Sequence, residues 1–138
     1  METPIVPTPT LFSDLDLSPI TLRALERAGF ANSTPIQAGL IPLALEGYDV
    51  IGQARTGTGK TAAFSIPILE QLDSLEVTRD PQAIIIVPTR ELADQVGREA
   101  ERLAYGVPTE IAVLAGGKNM TGQLRQLQNG VQIVVGTP

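Results

Sequence analysis

Ala54-Arg55-Thr56-Gly57-Thr58-Gly59-Lys60-Thr61 is a run of small residues closed by one lysine and one threonine, a composition suited to a backbone that wraps an anion. Ahead of it stands Asp49-Val50-Ile51, short, apolar and β-branched, and behind it Ala62-Ala63-Phe64 opens a helical pattern. Strand, loop and helix in that order are the setting of a phosphate-binding loop. Glycines at 57 and 59 let backbone N–H groups converge on phosphate oxygens, and the following helix presents the positive end of its dipole. In such a loop Ala54, Thr56 and Thr58 complete the cradle, Lys60 reaches the outer phosphates and the Thr61 hydroxyl can ligate Mg²⁺. The general pattern G-x-x-x-x-G-K-[ST] has glycine where this chain has Ala54, so the eight residues alone miss it by one methyl group. The competing reading is a glycine-rich turn before a helix with an ordinary surface lysine, which explains one glycine but not the whole set.

With 138 residues, 43% of them hydrophobic, and a slightly positive mean hydropathy, the chain has enough material for one folded domain with a core. Its longest apolar runs, such as residues 83–87, are far too short to cross a bilayer. The N-terminus lacks a secretory signal and cysteine is absent, so a cytoplasmic location is expected. Ten basic against fifteen acidic residues give a formal net charge of -5, the wrong sign for a protein that holds nucleic acid by a broad basic surface. Any such site must be local. The absence of histidine and cysteine removes the usual zinc sites, cysteine nucleophiles and Ser-His catalysis together, leaving oxygen-ligand metals and phosphate handling.

Residues 1–10, proline- and threonine-rich without periodicity, read as a flexible lead, and residues 11–138 as the domain. Ser18-Pro19 and Thr34-Pro35 each read as a cap followed by a first-turn proline, predicting helices over 19–28 and from 35 to 47, the second with Pro42 bending it. Gln37 stands three residues after Thr34, the spacing of a capping box. Further on, the patterns predict a strand at 49–51, a helix over 60–75, a strand at 83–87, a helix over 89–105, a strand at 110–114, a helix over 119–128 and a strand at 131–135. Strands that are almost continuous apolar runs separated by helices predict an α/β fold, a three-layer α/β/α parallel sheet. The chain stops directly after an apolar strand, and no strand ends in the paired carboxylates that would hold Mg²⁺ through water and orient an attacking water. The domain is therefore expected to be incomplete.

Several separated stretches now fit one pattern, and from Phe12 to Pro138 the chain resembles the N-terminal part of a DEAD-box ATP-dependent RNA helicase. Gly29-Phe30 followed by Thr34-Pro35-Ile36-Gln37 resembles that family's Q motif, with Phe12 at the spacing of its isolated upstream aromatic. Ala54 to Thr61 resembles motif I, which typically begins with alanine, so the mismatch becomes support. Pro88-Thr89-Arg90-Glu91-Leu92-Ala93 resembles motif Ia, Gly116-Gly117 the glycine doublet, and Thr137-Pro138 the first half of motif Ib.

The resemblance implies a RecA-like P-loop NTPase domain that binds ATP and Mg²⁺, with Gln37 reading the adenine edge, Phe30 stacking on the ring, and Lys60 and Thr61 serving catalysis. It implies RNA held through its phosphates, with little sequence preference, by Pro88, Thr89, Arg90, Gly116, Gly117 and Thr137. The alternatives are a capping role for Gln37, a core role for Phe30, packing behind the Q motif for Phe12, an Arg90–Asp94 ion pair with Thr89 as a cap, a plain turn at the doublet and a plain cap at Thr137. The family's D-E-A-D motif and second RecA-like domain would lie beyond Pro138. Hence the full-length protein is expected to hydrolyse ATP and unwind RNA, while these residues alone are expected to be inactive. A binding fragment without catalysis and an unrelated P-loop kinase are the other readings.

Overall fold

The computed structural model describes residues 10–72 and 80–138. They fall into two compact units that meet in sequence at Gln71 and Leu72.

The first unit is helical. A 3₁₀ turn, Phe12–Asp14, precedes α1 (Pro19–Arg27), α2 (Pro35–Leu45) and α3 (Lys60–Gln71). The caps expected from the sequence start these helices: Ser18 Oγ accepts the Thr21 N–H at 3.3 Å, and Gln37 Oε1 accepts the Thr34 N–H at 2.9 Å. Gly29, at φ 86°, ends α1 in the left-handed conformation that glycine adopts without penalty, and the Phe30 N–H closes back on Leu25 O at 2.9 Å. Pro42 and Pro67 lie inside their helices.

Helix α3 is the spine of this unit. It buries Ala62, Ala63, Ile66 and Leu69, and both α1 and α2 pack on it. Polar ties fix its far end: Glu70 accepts the Ser18 N–H at 3.1 Å and the Ser18 hydroxyl at 2.7 Å, and also bonds the Thr21 hydroxyl. Gln71 Nε2 donates to Ala44 O at 2.7 Å. The expected helix over 60–75 thus ends at Gln71, and the rest of that expectation lies largely outside the described residues, as does the lead before Thr10.

One expected element does not form. Residues 49–51 are irregular, and Ile51 is 102% exposed. A β-branched run favours an extended backbone, but a strand exists only beside another, and none of the described strands pairs with this one. What holds the segment is α2, since a Cβ at Gly52 would stand 2.8 Å from both Ile36 Cδ1 and Leu40 Cδ1.

The second unit is a parallel sheet with helices on both faces. Its elements are β1 (Ala83–Ile86), α4 (Arg90–Leu103), β2 (Ile111–Leu114), α5 (Met120–Asn129) and β3 (Ile133–Gly136), in the strand order β1-β3-β2. Ile133 pairs with Ala83 on one side and Ile111 on the other. β3, central and buried, has the continuous apolar run expected of such a strand. Ala93, Val96, Gly97, Ala100 and Leu103 form the buried stripe of α4, spaced as one helical face requires. That stripe meets the side of the sheet bearing Val113, whose Cγ2 lies 2.5 Å from where a Gly97 Cβ would be. On the opposite side Leu127 of α5 packs against Ala112, Val131 and Val134. Ile84 and Ile86 of β1 remain exposed at 68% and 71%. No helix among the described residues is long and apolar enough to cross a membrane.

Candidate functional site

In the first unit the phosphate-loop stretch is a turn that runs straight into α3. Gly57 and Gly59 stand at φ 80° and 82°, where other residues are strained. The loop closes on itself through the Thr58 hydroxyl, which donates to Arg55 O at 2.5 Å. Helix α3 begins at Lys60, so the N–H groups of its first turn have no carbonyl one turn back. Lys60 and Thr56 are exposed, whereas Ala54, Thr58 and Thr61 are half-buried.

Gln37 lies against this loop from α2. Its Nε2 donates to Gly59 O at 3.1 Å while its Oε1 holds the Thr34 N–H, and the residue is only 1% exposed. The Thr34–Gln37 pair has capping-box geometry, although the Thr34 hydroxyl, itself buried, makes no hydrogen bond. A Cβ at Gly59 would fall 2.2 Å from Gln37 Nε2, so only glycine lets the amide come this close. Capping and contact with the loop are therefore simultaneous properties of one side chain. Phe30 is half-buried and meets Phe12 edge to face, centroids 6.1 Å apart and planes at 80°. Phe12, 2% exposed, packs behind Phe30, with a ring edge against the π-face.

The second unit gathers the other predicted residues. Pro88, Thr89, Arg90, Gly116 and Thr137 line one open groove of about 540 Å³, together with Glu91 and Pro138. They converge because parallel strands β1, β2 and β3 end side by side, so the segments following all three emerge at one edge. Thr89 caps α4, its hydroxyl accepting the Leu92 N–H at 3.2 Å. The expected alternative for Arg90 is corrected: it does not pair with Asp94. Its Nη1 donates to Gly116 O at 3.2 Å, and Asp94 forms an ion pair with Lys118. Lys118 takes the Asp94 carboxylate, and the Arg90 guanidinium is held on the glycine doublet instead. Gly117, at φ 78°, sits so close that a Cβ there would be 2.2 Å from Arg90 Nη1, which is more than a plain turn requires.

Sequence reasoning missed Lys118 and Gln123, and named Asp94 only as an alternative partner of Arg90. Lys118 carries a local signal, a lysine directly after the doublet. Gln123, which bonds Ala115 at both backbone atoms, carries none that a single sequence displays. Among the described residues no group of three or more His, Cys, Asp or Glu is placed to hold a metal ion.

The family model described as DEAD/DEAH box helicase matches residues 34–138. The chain is 50% identical over 129 residues to the ATP-dependent RNA helicase CshA of Limosilactobacillus reuteri, covering 92% of this chain and 25% of that protein. It is 46% identical over 129 residues to the protein of the same name from Listeria monocytogenes, covering 94% and 24%. It thus spans about a quarter of the length of these relatives. Among solved structures, a DEAD box protein from the hyperthermophile Methanococcus jannaschii aligns with a TM-score of 0.85 and 43% identity over 93% of this chain and 34% of that one. Since that family model matches more than half of its length, the chain belongs to the DEAD/DEAH box helicase family.

Proposed function

We propose that these residues form the first part of a RecA-like ATP-binding domain in a cytoplasmic ATP-dependent RNA helicase, and that they supply part of its nucleotide site and part of its RNA site. The observation that supports this most is the Gln37–Gly59 hydrogen bond. It places an amide, the group able both to donate to and to accept from an adenine edge, on the loop that would hold the phosphates. An ordinary phosphate-loop kinase has no need of that contact.

In this reading the free N–H groups around Gly57, Gly59 and the start of α3 receive phosphate oxygens, and Ala54, Thr56 and Thr58 shape the turn. Lys60, exposed at the helix start, neutralises the outer phosphates. The half-buried Thr61 hydroxyl fits one Mg²⁺ position, the remaining ligands being phosphate oxygens and water; when bound, the ion offsets charge on the transferring phosphoryl group. Phe30 stacks on adenine with Phe12 behind it. Because both polar ends of Gln37 are engaged and the residue is buried, adenine recognition draws on the amide's second hydrogen and second lone pair, or loosens the bond to Gly59.

The groove at the strand ends takes the phosphates of a single RNA strand. Thr89, Arg90 and Thr137 supply hydroxyls and a guanidinium, Pro88 shapes the wall, and Gly116-Gly117 allow close backbone approach. Contacts to phosphate and sugar carry little sequence preference. A second RecA-like domain in the full-length protein completes both sites and supplies hydrolysis and unwinding; the 138 residues by themselves bind without turnover. The test is ATP hydrolysis by the full-length protein with and without single-stranded RNA. Stimulation by RNA that disappears in Lys60→Ala is expected, and a rate indifferent to RNA overturns the proposal.

A further inference from the structure

Helix α5 is attached to the sheet in an unusual way. None of its residues is fully buried, and its apolar contact rests on the half-buried Leu127. Its two polar attachments are both glutamine amides, and both go to the backbone of β2 and its extension. Gln126 Nε2 donates to Ile111 O at 3.2 Å. Gln123 makes two bonds to one residue, its Oε1 accepting the Ala115 N–H at 3.2 Å and its Nε2 donating to Ala115 O at 3.3 Å.

These targets share a position. β2 is an edge strand of the described sheet. On the side of β3, Glu110 O accepts from the Gln132 and Ile133 N–H groups and Leu114 O from the Thr137 N–H, so the backbone groups of Ile111 and Ala115, in the other phase of the strand, face the open edge. An open edge leaves donors and acceptors unmet, and the two glutamines satisfy it at either end. They differ in what comes next. Ile111 leads into the strand, whereas Ala115 leads directly into Gly116, whose carbonyl holds Arg90 and which lines the groove.

We infer that Gln123 is a positioning residue for RNA binding: by clasping both backbone atoms of Ala115 it fixes the point from which the Gly116-Gly117 doublet departs, and so sets the doublet's approach to the strand. This rests on reading the groove as the RNA site. Gln123 itself does not line the groove. It acts through the loop, which Arg90 and the Lys118–Asp94 ion pair hold from the side of α4. Without the clasp the doublet, which needs positive φ at Gly117, samples other conformations and must be ordered when RNA arrives.

Gln126 provides the control, because it satisfies the same edge at the end remote from the doublet. The measurement is affinity of the full-length protein for a fluorescent single-stranded oligoribonucleotide, with a non-hydrolysable ATP analogue present, alongside affinity for ADP alone. Gln123→Ala is expected to weaken RNA binding on the order of three- to tenfold, the equivalent of one net hydrogen bond, with ADP affinity unchanged. Gln126→Ala is expected to leave both affinities unchanged. Gln123→Met keeps the length and apolar stem, and is expected to reproduce the RNA loss even if the alanine variant folds poorly. Equal losses at 123 and 126, or full RNA affinity in Gln123→Met, overturn the positioning role while leaving the RNA reading in place. Failure of the unmodified protein to bind RNA overturns both.

Discussion

At the scale of single residues, the Gln37–Gly59 contact makes two neighbouring glycines unequal. Gly57 and Gly59 have nearly the same left-handed backbone, and in either place a side chain incurs conformational strain of about 1–2 kcal/mol. At Gly57 a Cβ meets nothing within 4 Å, whereas at Gly59 it falls 2.2 Å from Gln37 Nε2. Gly59→Ala must therefore also displace a buried amide from Gly59 O and loosen the Thr34 cap. It is expected to lower stability by about 1–3 kcal/mol more than Gly57→Ala does, the cost of a buried group left without its partner. Chemical denaturation of both variants measures this, and equal midpoints would show that Gln37 is not held on the loop. The sequence alone does not display this difference. The spacing from Thr34 to Gln37 announces a cap because both residues sit within one helical turn. The bond to Gly59 spans twenty-two positions and depends on how α2 packs on α3.

At the scale of elements, the same division between local and non-local information explains what the sequence could say. The starts of α1 and α2 were readable because a Ser-Pro or Thr-Pro pair acts on its own helix. The start of α4 was readable to within one residue because Thr89 caps the helix that begins at Arg90. The apolar runs of β2 and β3 were readable because helices cover both faces there, and β1 carries the same run although Ile84 and Ile86 are exposed. The expected strand at 49–51 did not form because a run of β-branched residues states a preference, and the partner strand has to come from elsewhere. The alternative that pairs Arg90 with Asp94 rests on spacing alone, whereas the partners observed come from a distant stretch: Gly116 holds Arg90 and Lys118 holds Asp94. The contact of α4 with the sheet carries its own prediction. An alanine at Gly97 gains roughly 1 kcal/mol of helix propensity, but its Cβ would stand 2.5 Å from Val113 Cγ2. Overpacking of that kind costs about 1–3 kcal/mol, so Gly97→Ala is expected to be neutral to destabilising by about 2 kcal/mol. Trimming the obstruction in Gly97→Ala/Val113→Ala should recover part of the loss, a non-additivity read from denaturation of the three variants. Strict additivity would mean that α4 sits farther from β2 than this.

At the scale of the whole molecule, charge limits how the proposed RNA strand can be held. These residues carry a net charge of -5, which repels a polyanion at long range, so the RNA contacts proposed within them have to be short-range. The groove offers a single cationic side chain, Arg90, alongside the acidic Glu91, while Lys118 is engaged with Asp94. Hydroxyls and backbone N–H groups bond phosphate without releasing counterions as a cation does. Arg90 has five donors and uses one described bond on Gly116 O, which leaves others for a phosphate. If it makes that contact, Arg90→Ala removes one counterion-releasing interaction. The slope of log affinity for single-stranded RNA against log salt, measured on the full-length protein, should then fall in magnitude by about 0.7. If Arg90 serves only to hold the glycine doublet, the variant weakens binding at every salt concentration by the same factor, and the slope stays where it was. Affinity alone cannot separate a phosphate contact from a loop support, because both predict a loss. The salt dependence separates them, since only a charge that meets the RNA displaces an ion from it.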